Sequence, residues 1–264
     1  MSPVPEKASP PAPEGRILRA HKLESLSTVA MGIAHDFNNF LAAIAGNLNI
    51  VIKNLPDSAA SAREHAHHAE LITAKAVDLA NQLLLYAGKG RFSPQRVNVA
   101  GLAAEVAESL RPSLPKNITL ELNLPQDLPP ITLDVSQIRL LVTHLVNNAA
   151  EAYLGEPGRI TVSAGSMYCD RQYLSQTVVE TDMPEDQYTF LEMADEGPGI
   201  PPDILPRVFD PFFSTRIRGH GMGLSIVFGV ARAHAAAIVM RTAPGKGTTV
   251  RVLFQTRREV VDAL

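Results

Sequence analysis

The chain has 264 residues, a net charge of −3, a pI near 6.2 and 45% hydrophobic residues. This size and composition are ordinary for a soluble protein of two domains, and the weak acidic charge argues against nucleic-acid binding, which needs a basic surface. A single cysteine, Cys169, excludes an internal disulfide, and we recognise no secretory signal or membrane span, so we expect a cytoplasmic protein.

The N-terminal part predicts a tail followed by two long helices. Residues 1–13 contain five prolines and little that can be buried, so we expect a disordered tail. From residue 14 to about 54, apolar residues recur at steps of three and four, which predicts one helix. Pro56 ends that helix, and a second is expected over about 59–86. The expected buried row of the first helix is Leu23, Leu26, Ala30, Ile33, Phe37, Phe40, Ile44 and Val51; that of the second is Leu71, Val77, Leu79, Leu83 and Leu84.

Two such helices form a hairpin with too small a core to be stable by itself. Pairing of two hairpins into a four-helix bundle would complete the core. We therefore expect residues 14–92 to be a dimerisation domain and the protein to be a homodimer.

The stretch GIAHDFNNFLAAI, residues 32–44, places polar side chains on the first helix. At about 100° per residue, His35 falls opposite the buried row, and Asn39 shares its outward face with Asp36 on the flank. Residues four apart on a helix have Cβ atoms about 6 Å apart, so His35 and Asn39 can touch one group arriving from solvent. Taken alone, a neighbouring His and Asp are more often an ordinary solvated pair.

After a hinge predicted over residues 87–96, helices and strands are mixed. The patterns predict helices at 99–110, 136–154 and 223–235, and strands at 117–124, 158–167, 188–195, 237–243 and 248–256. Because they do not alternate strictly, we expect an α+β domain, residues 93–264, with helices layered on a mixed or largely antiparallel sheet.

Five short motifs follow one another in this second domain: VNNAAEAY, ADEGPGIPP, FDPFF, GHGMGLSI and PGKGTT. In order and spacing they resemble the nucleotide-binding motifs of sensor histidine kinases of the GHKL ATPase superfamily. MGIAHDFNNFLAAI resembles the phosphoacceptor motif of the same kinases. The resemblance covers residues 15 to about 255, and it implies a multidomain protein in which a dimeric helical hairpin precedes a GHKL, or Bergerat-type, ATP-binding α+β sandwich.

The resemblance also implies an ATP site with Mg²⁺. Asn148 would ligate the metal with support from Glu151, and Asp195 would accept a hydrogen bond from the adenine amino group. The remaining ATP-binding residues implied are Gly197, Gly199, Phe209, Arg216, Gly219, Gly221, Gly223 and Thr248. His144 and His220 stand where relatives often carry other polar residues, so their roles stay open.

On the helix, the resemblance makes His35 the nucleophile that takes the γ-phosphoryl group of ATP. Asp36 would be its general base, and Asn39 would position a water for phosphatase chemistry. The expected partner is the receiver domain of a response regulator, which accepts the phosphoryl group on an aspartate. The alternatives are a GHKL-type ATPase switch that does not phosphorylate itself and a non-catalytic dimeric scaffold.

Overall fold

In this computed structural model, the structure describes residues 37, 39–56, 59–86, 92–178, 183–216 and 221–256. They divide into two compact units, one of two helices and one containing everything from Phe92 onward. The predicted tail, His35, Asp36, Gly219 and His220 lie outside the described residues. No helix in the described part of the chain is long and apolar enough to cross a membrane.

The first unit is a helical hairpin. Helix α1 covers residues 39–54, and helix α2 covers Ala60–Tyr86, which confirms the predicted second helix. Arg63 on α2 helps to close the turn, because its Nη2 donates a hydrogen bond of 2.7 Å to the Leu55 carbonyl oxygen. That carbonyl follows the last turn of α1, where no intrahelical donor is available to it.

The hairpin buries a different row of α1 from the one predicted. The side chains least exposed within one chain are spaced by four and three residues: Leu41, Ala45, Leu48, Ile52 and Leu55. The described members of the predicted row are exposed instead: Phe37, Phe40, Ile44 and Val51, by 55%, 66%, 48% and 47%. On α2, Leu71 is also exposed, contrary to the prediction. The two rows of α1 lie about 80° apart around the helix, so periodicity alone did not separate them.

The second unit contains two sheets and three longer helices. The smaller sheet consists of strands β1 (Pro94–Val97) and β3 (Ile131–Asp134), which pair antiparallel. The main sheet has five strands: β2 (Ile118–Asn123), β4 (Gly158–Cys169), β5 (Asp186–Asp195), β6 (Ala237–Thr242) and β7 (Thr248–Gln255). Their order is β2-β4-β5-β7-β6, in which β2 and β4 run parallel and the other neighbours are antiparallel.

Helices α3 (Val99–Leu110), α4 (Val135–Ala152) and α6 (Gly223–Ala233) pack together and onto the sheet. Asn98 and Asp134 cap the first two, since their side chains accept hydrogen bonds from Gly101 N and Gln137 N. Successive residues of a strand point to opposite faces, and the fully buried Ile160 and Val162 lie on one face of β4. The predicted α+β sandwich is confirmed.

The opposite face of the sheet has a smaller core that the sequence did not predict. It is formed by Cys169, Tyr188, Ala237, Val239 and Leu253, all buried. The segment after β4, including the short helix α5 (Arg171–Leu174), adds apolar side chains to it. Strands β1 and β3 were missed as well, and β1 begins inside the stretch predicted as a hinge.

Candidate nucleotide-binding site

Asn148 lies on α4 where this helix meets the start of α6. A Cβ atom on Gly223 would stand 2.4 Å from Asn148 Oδ1, so any other residue at this position would displace the Asn148 amide. The Asn148 Nδ2 atom is buried and has no hydrogen-bond partner among the described residues. A buried amide without a partner is costly, and this one is therefore a candidate ligand-binding group.

His144 lies one turn before Asn148 on the same helix. Its Nε2 atom is also buried without a hydrogen-bond partner among the described residues. Burial lowers the pKa of His144 from 6.5 to about 4, because the charged imidazolium would lose its hydration. The imidazole is therefore neutral near pH 7.

Asp195 ends strand β5 on the sheet side of the site. Its Oδ1 accepts hydrogen bonds from the backbone N–H groups of Gly197, at 2.9 Å, and Thr248, at 3.2 Å. Burial raises the pKa of Asp195, and these two bonds and the charge of Arg216 partly oppose that rise. The carboxylate is thus held by the two loops predicted to surround the adenine.

Those two loops, residues 195–200 and 243–248, lie directly against each other. A Cβ on Gly247 would be 1.9 Å from the Asp195 carbonyl oxygen, and one on Gly199 would be 2.0 Å from the Ala243 carbonyl oxygen. Both glycines have positive φ, at 72° and 69°. No other residue fits this contact without moving one of the loops. Gly197 is buried beside them.

Arg216, which is predicted to contact a terminal phosphate, also contacts a side chain and a backbone group of helix α4. Its Nη1 forms an ion pair with Glu151, and its Nη2 donates a hydrogen bond of 3.4 Å to the Asn148 carbonyl oxygen. Arg216 therefore joins the segment before the undescribed residues 217–220 to the helix that carries Asn148.

The FDPFF motif leads into that segment. Phe209 packs against Phe228 of α6, with ring centroids 6.0 Å apart, and the Arg207 guanidinium lies 4.4 Å from the Phe213 ring centroid. Phe212 is exposed and has φ of 63°, and Gly221 lies against its backbone. The motif is thus attached to the helix that begins at Gly223.

Sequence reasoning missed Tyr153, the residue that follows α4. Its hydroxyl accepts a hydrogen bond of 2.8 Å from the backbone N–H of Glu196, directly after Asp195. A tyrosine at the end of an amphipathic helix is ordinarily a packing residue, so its sequence position contains no signal of this contact.

The types of side chain at this site are compatible with binding of a magnesium–nucleotide complex. The described residues contain no cluster of three His, Cys, Asp or Glu side chains able to hold a metal ion. A Mg²⁺ ion that is bound mainly by phosphate oxygens and water needs only one or two protein ligands, and the amide oxygen Oδ1 of Asn148 would be the ligating atom, whereas the unpartnered Nδ2 is a donor that suits a phosphate oxygen or a water.

The site and fold match known proteins. Residues 133–258 match the family described as histidine kinase-, DNA gyrase B-, and HSP90-like ATPase, and this range contains every predicted ATP-binding residue. The chain is 30% identical over 244 residues to the sensor kinase CckA of Brucella abortus (strain 2308), covering 91% of this chain and 25% of that protein. Over most of its length, the chain is similar to sensor histidine kinases. The predicted resemblance is confirmed, and the match over residues 133–258 supports a GHKL-type ATPase fold for this part of the chain.

One further protein is similar in sequence, and one solved structure is similar in fold. The sensory histidine kinase/phosphatase NtrB of Rhizobium meliloti (strain 1021) is 27% identical over 237 residues, which are 87% of this chain and 58% of NtrB. The crystal structure of full-length ShkA in complex with AMPPNP has a TM-score of 0.63 at 22% identity and shows a shared fold over 88% of this chain and 47% of that one. This chain spans about a quarter of the length of CckA and somewhat more than half of NtrB.

Proposed function

We propose that this chain is an ATP-dependent protein-histidine kinase that phosphorylates His35 and passes the phosphoryl group to an aspartate of a response-regulator receiver domain. One observation carries the proposal: a domain with an ATPase fold, in a chain that also contains a helical hairpin, has a buried amide nitrogen without a partner among the described residues at Asn148 and a partly buried carboxylate at Asp195. A scaffold that had lost nucleotide binding would have no reason to keep either group buried at this cost.

The two groups suit opposite ends of ATP. Asp195 is an acceptor at the end of β5, and it would bind the adenine amino group. Asn148 lies beside Gly223, where the N-terminal end of α6 offers backbone N–H groups and a positive dipole to phosphates. Mg²⁺ bound at Asn148 would neutralise phosphate charge. Arg216 would leave Glu151 to contact the terminal phosphate, or would hold the segment beside it in place.

The helical hairpin supports the dimeric part of the proposal. Phe37, Phe40, Ile44 and Val51 form an exposed apolar row on α1, and Leu71 and Ile72 of α2 are exposed as well. An apolar row of this length on a hairpin is suited to a second copy of the same helices, as in a four-helix bundle. We therefore propose that residues 14–92 dimerise.

His35, four residues before Asn39 in the sequence, would act as the nucleophile. Asp36, its neighbour, would accept the imidazole proton and orient the ring. Asn39 is exposed at the first turn of α1. Its amide cannot act as a general base, so Asn39 would instead orient a water when the partner is dephosphorylated.

The test is incubation of the full chain with γ-³²P-labelled ATP and Mg²⁺. We expect label that survives alkali and is lost in acid, as a phosphoramidate is, and none in His35→Gln. Asn39→Ala is the matched variant on the same helix and should keep self-labelling within a few-fold.

Three results would contradict the proposal. Label that persists in His35→Gln would remove the histidine from the reaction. ATP hydrolysis without any label on the wild-type chain would favour an ATPase switch, and failure to bind nucleotide would favour a scaffold.

A further inference from the structure

The hydroxyl of Tyr153 makes three hydrogen bonds to backbone groups, two on strand β4 and one on the residue that follows β5. It accepts from the N–H of Glu196 at 2.8 Å and from the N–H of Arg159 at 3.0 Å, and it donates to the Arg159 carbonyl oxygen at 2.5 Å. A phenol has one donor and two acceptor lone pairs, so its capacity is used completely. The side chain is buried, with 7% exposure.

The local fold is built around the Tyr153 ring. A Cβ on Gly158 would stand 2.1 Å from a carbon of the ring, so the turn from α4 into β4 closes over the tyrosine only with glycine at that position. Asn117 supports the same turn, because its Nδ2 donates to the Gly155 carbonyl oxygen at 2.5 Å and its own carbonyl accepts from Gly158 N at 3.1 Å. The position of the ring is therefore determined on several sides.

These contacts join the two halves of the nucleotide site. Helix α4 carries Asn148 and ends one residue before Tyr153, while Glu196 directly follows the carboxylate residue Asp195. The first residues of β4 lie between them, since Ile160 pairs with Asp195 in the sheet. We propose that Tyr153 is a positioning residue that sets adenine selectivity by holding the Asp195 end of β5 against helix α4.

This inference rests on the proposed function, because it assumes that Asp195 reads the adenine amino group. A carboxylate discriminates between bases only if its oxygens stay where that amino group arrives. Asp195 Oδ1 accepts hydrogen bonds from Gly197 N and Thr248 N. Glu196 lies between Asp195 and Gly197 in the sequence, and its backbone N–H donates to the Tyr153 hydroxyl. Loss of the hydroxyl would free the backbone next to the carboxylate without removing the carboxylate.

The experiment compares binding of ADP and IDP to the full chain by titration calorimetry. The two ligands differ where adenine has an amino donor and hypoxanthine has a carbonyl acceptor, and neither has a γ-phosphate to transfer. We expect the wild type to prefer ADP by about 100-fold or more, and Tyr153→Phe to reduce that ratio about tenfold, the size of one or two lost hydrogen bonds.

Tyr188→Phe is the matched control. Tyr188 is fully buried on the opposite face of the sheet, and its hydroxyl donates to the Pro184 carbonyl oxygen at 2.5 Å. Its substitution removes a buried phenol hydroxyl just as Tyr153→Phe does, so it should lower stability and leave the ADP/IDP ratio unchanged. If Tyr153→Phe also lowers stability and keeps the wild-type ratio, Tyr153 is only a structural residue and the proposal is overturned.

A second measurement needs no variant and remains available if Tyr153→Phe does not fold. Glu196 has an exposed side chain, yet its amide hydrogen should exchange with solvent about 100-fold more slowly than an unprotected amide, because Tyr153 accepts it. Exchange of this amide at the unprotected rate in the wild type would refute the proposal. A wild type that binds ADP and IDP equally would instead refute the adenine role of Asp195.

Discussion

The two units of this chain bury their apolar side chains to different extents. We call the unit that contains the described residues from Phe92 onward the ATPase unit. Its core contains side chains that are fully buried between helices and sheet, among them Ile138, Leu141, Ile226 and Val252. In the hairpin, the large apolar residues Phe37, Phe40, Ile44 and Val51 are exposed. A sandwich of helices on a sheet encloses a core within one chain, whereas two helices have only one shared face and leave other apolar faces in water. We infer that the ATPase unit is complete by itself and that the hairpin needs a partner.

The largest expected effect concerns that exposed row. Ile44→Glu places a charge where we expect the second copy to pack, so it should weaken dimerisation by at least about 100-fold. Asn49→Glu, on the other side of the inward row of α1, is the matched control and should remain dimeric. Analytical ultracentrifugation of the full chain measures both. A dimeric Ile44→Glu variant that dissociates no more readily than wild type would show that this row is not the interface.

The next effect belongs to the ATPase unit and depends on pH. Because the pKa of His144 is lowered in the folded chain, the unfolded chain binds a proton at this residue more readily. The contribution of the neutral, buried imidazole to the free energy of unfolding is therefore complete above about pH 6.5 and is lost as the pH falls towards 4. At about 1.4 kcal/mol for each pH unit, the loss approaches about 3 kcal/mol. Urea denaturation followed by tyrosine fluorescence suits this test, because four of the five tyrosines lie in the ATPase unit.

His144→Gln should remove this part of the pH dependence, since glutamine does not titrate. His67→Gln is the control, because His67 is exposed on α2 in the other unit. The assignment to His144 fails if both variants keep the wild-type slope between pH 6.5 and 4.

A smaller effect is expected when the adenine-reading group is changed. Asp195→Asn keeps the shape of the side chain and removes its charge, so ADP should bind about 10- to 100-fold more weakly while the chain stays dimeric. Asp186→Asn, at the opposite end of β5, should bind ADP normally. Calorimetric titration tests both variants. If Asp195→Asn binds ADP as tightly as the wild type and Asp186→Asn do, the adenine pocket is not at Asp195.

The smallest effect is local to the end of α6. Ala235 has φ of 46°, a left-handed conformation that costs a residue with a Cβ about 1 kcal/mol, so Ala235→Gly should stabilise the ATPase unit by about that amount. Ala233→Gly, the last residue of the helix, should destabilise it by a similar amount. The same urea denaturation measures both, and stabilisation by neither or by both would contradict the backbone argument.

Local patterns were sufficient to find most of the secondary structure. Helix α3 has the predicted bounds, and α2, α4 and α6 differ from prediction by at most two residues at either end, because each combines helical periodicity with a clear beginning or end. Strands β1 and β3, of four residues each, were missed because such short segments contain only two periods of alternation, too few to distinguish a strand from a loop. Asn148 and Asp195 were recognisable because each lies within a longer motif, VNNAAEAY and ADEGPGIPP respectively.

Contacts between residues far apart in sequence decided the rest. Helical periodicity defines apolar rows on α1, but which row faces α2 depends on the turn at Leu55 and on the side chains of α2. In the same way, nothing near Arg216 indicates that it pairs with Glu151, and nothing near Tyr153 indicates that it accepts the Glu196 N–H. A short-range pattern reports the conformation of a segment, whereas burial and hydrogen-bond partners depend on which other segments pack against it.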